Sequence, residues 1–209
     1  MLISSYNKII YVLLAYSFWI MSQTILGSDV VPECGIIDRL HNFVQPINNY
    51  LHNNKDITSY GFILSSFLID INVVNLIVGY LTTNRSKSFV LLCIGFFLRQ
   101  VSQWLTRLPQ PETTVWFYPG FPSIMVTYSV ETDFFFSGHT LVSLVTGCDI
   151  IDNGGVFGKI YGLFFIIYEI SFIILTHSHY YMDIYAAITT YFTIRYIYEK
   201  YEKYVELRK

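Results

Sequence analysis

The sequence predicts an all-α, polytopic membrane protein of six transmembrane helices with both termini in the cytosol. Three observations carry that expectation: composition, the spacing of apolar windows, and the distribution of basic residues. Of the 209 residues 53% are hydrophobic, 18% aromatic and only 13% charged, more apolar surface than a soluble domain of this size can hide. Windows of about 20 apolar residues, enough to cross a hydrocarbon core of about 30 Å, occur at residues 9–25, 60–81, 89–105, 138–151, 156–176 and 180–197. Lys8, Arg85, Lys87, Lys159, Arg195, Lys200, Lys203, Arg208 and Lys209 fall on one side of this layout, and Arg39, Lys55, Arg99 and Arg107 lie on or toward the other. The excess marks the cytosolic face.

The first window follows Lys8 and runs on through Trp19, Ile20 and Met21 without an A-x-A-like cleavage site, so it reads as an anchor rather than a signal peptide. The second and third are joined by "TTNRSKS", which holds the sequon Asn84-Arg85-Ser86 and is expected in the cytosol, hence unglycosylated. The fourth window is short. It leads through "DNGGVFGK" into the fifth, and the sixth ends in "YEKYEKYVELRK", a charged helical extension with the character of a solvated face. Two long segments, about residues 27–57 and 106–136, face the other side; both carry aromatics and prolines, so they are expected to fold over the helix ends. With no repeat or linker, the chain reads as a single membrane domain over residues 1–209. Cys34, Cys93 and Cys148 are scattered and odd in number, which makes neither a disulfide framework nor a C-x-x-C metal site.

Chemistry is concentrated in two places that this topology brings to one face. "TDFFFSGHTL" opens the fourth helix with Ser137 and Gly138 ahead of His139, and "THSHYYMDIY" spans the end of the fifth helix and the start of the sixth. His179 and Asp183 are four residues apart, the spacing that sets two side chains on one helical face. A carboxylate there can fix one imidazole nitrogen as N–H and leave the other as nucleophile or base. His139 supplies a second imidazole, an acid. Ionisable groups at membrane depth are costly, which favours function for this group, whereas His41 and His52 read as ordinary interfacial histidines. Metal binding by His177, His179 and Asp183 is disfavoured because residues two apart point to different helix faces. Ser137 lacks the G-x-S-x-G elbow of a hydrolase nucleophile and reads as a helix cap.

These residues resemble the sphingomyelin synthase-like family of the phosphatidic acid phosphatase superfamily. The family's C-G-D-x-x-x-S-G-H-T is matched by "ETDFFFSGHT", with Glu-Thr for the leading Cys-Gly, and its H-Y-T-x-D-V by "HYYMDI". A worn second motif is met by Phe96, Arg99 and Thr106, followed by "TRLPQP", with Ser86-Lys87 where the family has two arginines. The P-L-P-D motif and the family's further N-terminal domain have no counterpart. The resemblance covers roughly residues 89–198.

What it implies is a transferase that moves a phospho head group, phosphocholine or phosphoethanolamine, from a glycerophospholipid to ceramide or diacylglycerol. His179, oriented by Asp183, would be the nucleophile and His139 the acid and base. Asp133, Arg99 and Ser137 would line the head-group site, with Phe134, Phe135 and Tyr180 open to cation–π contact. Arg99 would neutralise phosphate or pair with a carboxylate such as Asp70. No cofactor beyond the two lipids is implied and no metal. The expected partners are lipid substrates and the bilayer, with a homodimer allowed and no nucleic acid; the location is the Golgi, endoplasmic reticulum or plasma membrane, with the site on the lumenal or exoplasmic side. The nearest rival is a lipid phosphate phosphatase of the same superfamily. Such enzymes grip a dianion through K-x6-R-P, P-S-G-H and S-R-x5-H-x3-D patterns, but here Phe136 precedes "SGH" and Phe172-Ile173 stand where Ser-Arg would be. A non-catalytic ceramide sensor is the second rival.

Overall fold

The computed structural model describes residues 35–83, 86–106, 108–120, 123 and 135–208. The window at 9–25, Cys34, the Asn84-Arg85 pair, Arg107, Asp133 and Phe134 lie outside them. The chain divides into two compact units, residues 1–37 and 38–209, and the architecture that follows is that of the second.

All regular structure among the described residues is helical: α1 (Arg39–Asn53), α2 (Lys55–Thr83), α3 (Ser86–Leu105), α4 (Gly138–Asn153), α5 (Gly155–Leu175) and α6 (Tyr181–Glu206). Helices α2 to α6 stand where the second to sixth apolar windows predict them. The exception is α1, which falls in a segment expected to be a connection. It carries no long apolar run, and Pro46 inside it removes one backbone donor, so neither signal of a spanning helix is present. Instead, Asp38 caps it by accepting from Leu40 N at 2.9 Å and His41 N at 3.3 Å. Its buried face is His41, Val44 and Asn48, at helical spacing.

The shortest of the five following helices is the central one. At 16 residues, about 24 Å long, α4 touches α2, α3, α5 and α6, and Thr140 to Gly147 are all buried. Its Leu141, Leu144 and Val145 meet Leu91 of α3 and Ala187 and Tyr191 of α6 on one side. Val142 meets Ile69, Val73 and Phe165 on the other. The α4–α5 hairpin is drawn tight by glycine: a Cβ on Gly147 would fall 2.6 Å from an Ile166 side-chain carbon, and one on Gly162 would fall 2.6 Å from the Gly147 carbonyl oxygen. Small residues at such crossings let backbones approach closely, the usual packing device where lipid removes the hydrophobic drive between helices.

Helices α2 and α5 are each long and apolar enough to cross a membrane. They run antiparallel with a polar seam: Tyr168 Oη donates to Gly61 O at 3.0 Å, Ser65 Oγ to Glu169 Oε2 at 2.8 Å, and Tyr161 Oη to Asn72 Oδ1 at 3.1 Å. The outward face of α5 presents Val156, Ile160, Leu163, Phe164 and Ile167 to the surroundings. An apolar stripe of this extent on an outer face belongs against lipid or another protein.

The alternation of helix direction puts the N-termini of α2, α4 and α6 and the C-termini of α3 and α5 at one end of the bundle. Residues 108–120 fold over that end, with Val115 N bonded to Thr176 O at 2.8 Å and Trp116 edge-on to Phe62.

Candidate active site

Helix α4 begins at the motif that the sequence singles out. Ser137 is its cap, accepting from Thr140 N at 3.3 Å and from Thr140 Oγ1 at 3.0 Å, and its own N–H donates to Asp183 O at 3.2 Å. That last bond ties the start of α4 to the first turn of α6. The residue before it, Phe136, is buried with φ of 72°, a left-handed conformation that a bulky side chain avoids.

The turn between α5 and α6 is a Schellman motif. Ser178 N bonds Ile173 O at 3.0 Å and His177 N bonds Ile174 O at 3.2 Å, and the left-handed C′ position, usually glycine, is filled by His177 with φ of 52°. Three neighbours hold that histidine. Thr113 Oγ1 lies 2.6 Å from its Nδ1, Thr114 Oγ1 donates to its carbonyl at 2.9 Å, and the His41 ring stacks on it at 4.1 Å between centroids. Its Nε2 is buried with no hydrogen-bond partner. Burial first, then the neighbouring His41 imidazole, push its pKa down to about 4, against an opposing pull from Asp38.

His179 follows in the same turn. Its Nδ1 lies 3.5 Å from Asp183 Oδ2, long for a hydrogen bond but correctly sided to orient the ring. Asp183 is fully buried and also accepts Tyr180 N at 3.1 Å, so one carboxylate caps α6 and faces His179. The His139 and His179 rings meet edge to face, 6.2 Å between centroids. Segments 40 residues apart thus place two imidazoles and a carboxylate together.

Arg99 joins them from α3. It is 7% exposed, its Nε donates to Phe136 O at 3.0 Å and its Nη1 to Gln103 Oε1 at 3.2 Å. A Cβ on Gly138 would sit 3.0 Å from Arg99 Nε. The guanidinium therefore packs closely against Gly138, between Ser137 and His139, where a side chain would crowd it.

His41 is a satisfied histidine, and it is also buried beside the site: its Nε2 donates to His179 O at 2.9 Å. Asp38, which caps α1, also accepts Tyr181 N at 2.6 Å. His52 is exposed. The signal for His41 was present only as the 41/44/48 periodicity of a short amphipathic helix. Among the described residues no group of three His, Cys, Asp or Glu side chains is arranged to hold a metal ion. Comparisons with known protein families, with curated proteins and with solved structures return no match for the chain.

Proposed function

We propose that this chain is a six-span membrane phosphotransferase that moves a phospho head group from a glycerophospholipid to the primary hydroxyl of ceramide or a similar lipid alcohol. The observation that carries the reading is the meeting of His139, His179 and Asp183 at one end of an apolar helical bundle, with Arg99 beside them. With Nδ1 turned to Asp183, His179 presents Nε2 to phosphorus. Attack forms the N–P bond and breaks the P–O bond to diacylglycerol; the departing oxygen takes the electron pair and a proton from His139. His139, now neutral, removes the proton from the acceptor hydroxyl, whose oxygen displaces His179 and leaves the product phosphodiester. Arg99 offsets the charge that builds on the phosphoryl oxygens.

Both termini lie in the cytosol and the site faces the lumen or cell exterior, a reading supported by Lys87, Lys159, Arg195, Lys200, Lys203 and Arg208 at the end opposite the histidines. A sequon engineered near residues 119–123 is expected to be glycosylated in a eukaryotic secretory system and native Asn84 is not; the reverse pattern inverts the orientation.

The activity test is incubation of purified protein with fluorescent ceramide and defined donor lipids, with products identified by mass spectrometry. A phosphodiester of ceramide is expected. Free phosphate from a lipid phosphate monoester would make the protein a phosphatase, and no turnover of any donor would leave a non-catalytic lipid binder.

A further inference from the structure

Helix α1 has three sectors when its residues are placed around the helix axis. His41, Val44 and Asn48 form the buried one. Phe43, Ile47 and Tyr50, spaced four and three residues apart, form an adjoining apolar sector that is open, at 82%, 48% and 54% exposure. The remaining arc is polar and carries one Lys/Arg side chain, the exposed Arg39; it runs through Asn42, Gln45 and Asn49 to His52, with Gln45 Nε2 bonded to Asn49 Oδ1 at 2.8 Å.

The buried sector fixes where the helix lies. Asp38 reaches the first N–H of α6, His41 the carbonyl of the turn, and Asn48 Nδ2 the Leu175 carbonyl at the end of α5, at 3.0 Å. Contacts in that order mean that α1 runs across the ends of α6 and α5 rather than alongside them. A single residue, Asn54, then joins it to α2, and Thr58 Oγ1 of α2 bonds back to Leu51 O at 2.6 Å. The open apolar sector is therefore at the level where α2 begins, and the first turns of α2 also expose Ile57, Tyr60 and Leu64.

We infer that α1 is an interfacial helix, with Phe43, Ile47 and Tyr50 seated at the boundary between head groups and acyl chains of the leaflet nearest the site. It thereby ties the turn that carries His179 to the membrane surface from which a lipid would enter. The inference rests on the membrane reading above. Helices of this type bury one face about 5–10 Å into the boundary. Because the polar arc carries no cluster of basic residues, insertion needs apolar contact alone and is expected in zwitterionic lipid.

The experiment uses the full chain in phosphatidylcholine nanodiscs, with Phe43→Trp and, separately, Phe164→Trp on the outer face of α5, each read as the difference from the parent protein's emission. Lipids brominated high on the acyl chain should quench Phe43→Trp more than lipids brominated near the chain end, and aqueous iodide should quench it little; Ile47→Trp should behave alike. Phe164→Trp should be quenched by bromolipid and not by iodide. Quenching of Phe43→Trp by iodide alone would put the sector in water, and quenching by neither agent would put it under protein; either overturns the inference while Phe164→Trp still reports a membrane span. If Phe164→Trp also escapes every bromolipid, the membrane reading falls and takes the interfacial helix with it.

Discussion

The two ends of the bundle are built on opposite principles. At the end where α2 meets α3 and α4 meets α5, the left-handed position of the α4–α5 turn is a glycine, Gly155 with φ of 60°, and the paired charges are partly exposed, Asp149 of α4 alone among the acidic residues near that end being buried. There Arg195 bonds Glu199 at 2.9 Å and Asp152 at 3.0 Å, and Lys87 pairs with Glu199. The lysine first, then the arginine, hold the Glu199 carboxyl below its ordinary range. At the other end the left-handed positions belong to Phe136 and His177, and His177, Asp183, His179 and Arg99 are buried. Relaxed backbone with exposed charge is what stability alone asks for. Strained backbone with buried charge persists where the surroundings over-determine it, commonly at functional sites.

The comparison breaks most visibly in activity. His179→Ala is expected to abolish head-group transfer, since it removes the nucleophile, and His139→Ala to lower it by about 10²–10⁴-fold, the usual worth of a positioned acid or base, both at matched expression. Asp183→Asn should approach that loss and also loosen the first turn of α6. Arg195→Ala at the opposite end should leave transfer unchanged within about twofold and cost about 1–3 kcal/mol in stability, because the half-buried guanidinium donates to the buried Tyr191 Oη at 3.0 Å as well as to two partly exposed carboxylates. Equal losses at both ends would erase the distinction.

Next in size is Arg99. Arg99→Lys keeps a charge but not the planar fork that bonds Phe136 O and Gln103 Oε1 at once, so a well-expressed protein with transfer reduced about tenfold or more is expected. Gly138→Ala, which pushes a methyl against Nε, should lower transfer with little change in Tm. Recovery of Arg99→Lys only when Asp70 is changed as well would make the arginine a structural ion-pair partner.

Acid stability comes third. The folded-state pKa of His177 is depressed, so the native protein binds fewer protons than the unfolded chain between about 4 and 6.5. Its contribution to stability is whole above pH 6.5 and is lost as pH falls through that window. Tm in detergent should drop over this range, and His177→Asn, which tolerates the left-handed backbone, should flatten the drop. An unchanged slope would mean that other groups govern it. The smallest effect is Ser137→Ala, a lost cap worth about 1 kcal/mol in thermal unfolding, with transfer only mildly reduced.

The long elements were legible because their signal is local. Apolar windows longer than 15 residues mark α2, α3, α5 and α6 directly, and "SGHT" and "HYYMDI" mark two segments of the candidate site. Helix α4 also stood out as short, but its centrality did not, since Ser143, Thr146 and Gly147 lower its apolar character while packing against four neighbours. Helix α1 was illegible as a helix: its apolar residues divide between a protein face and an open one, so no window accumulates, and Pro46 argues against helix. The engagement of His41 with His179 spans 138 residues, and no spacing rule reaches that far. His177 was visible as a residue, but its left-handed backbone follows from how α5 ends and turns into α6.

The central claim is that His179 carries the head group between donor and acceptor. The direct measurement is to incubate purified protein with phosphatidylcholine and no acceptor, quench under conditions that spare phosphoramidates, and map the adduct by mass spectrometry of peptides. We predict a phosphocholine-sized mass addition on the peptide containing His179, absent in His179→Ala and discharged when ceramide is added. Transfer to ceramide without any label on that peptide, or label on another residue that survives His179→Ala, would contradict it.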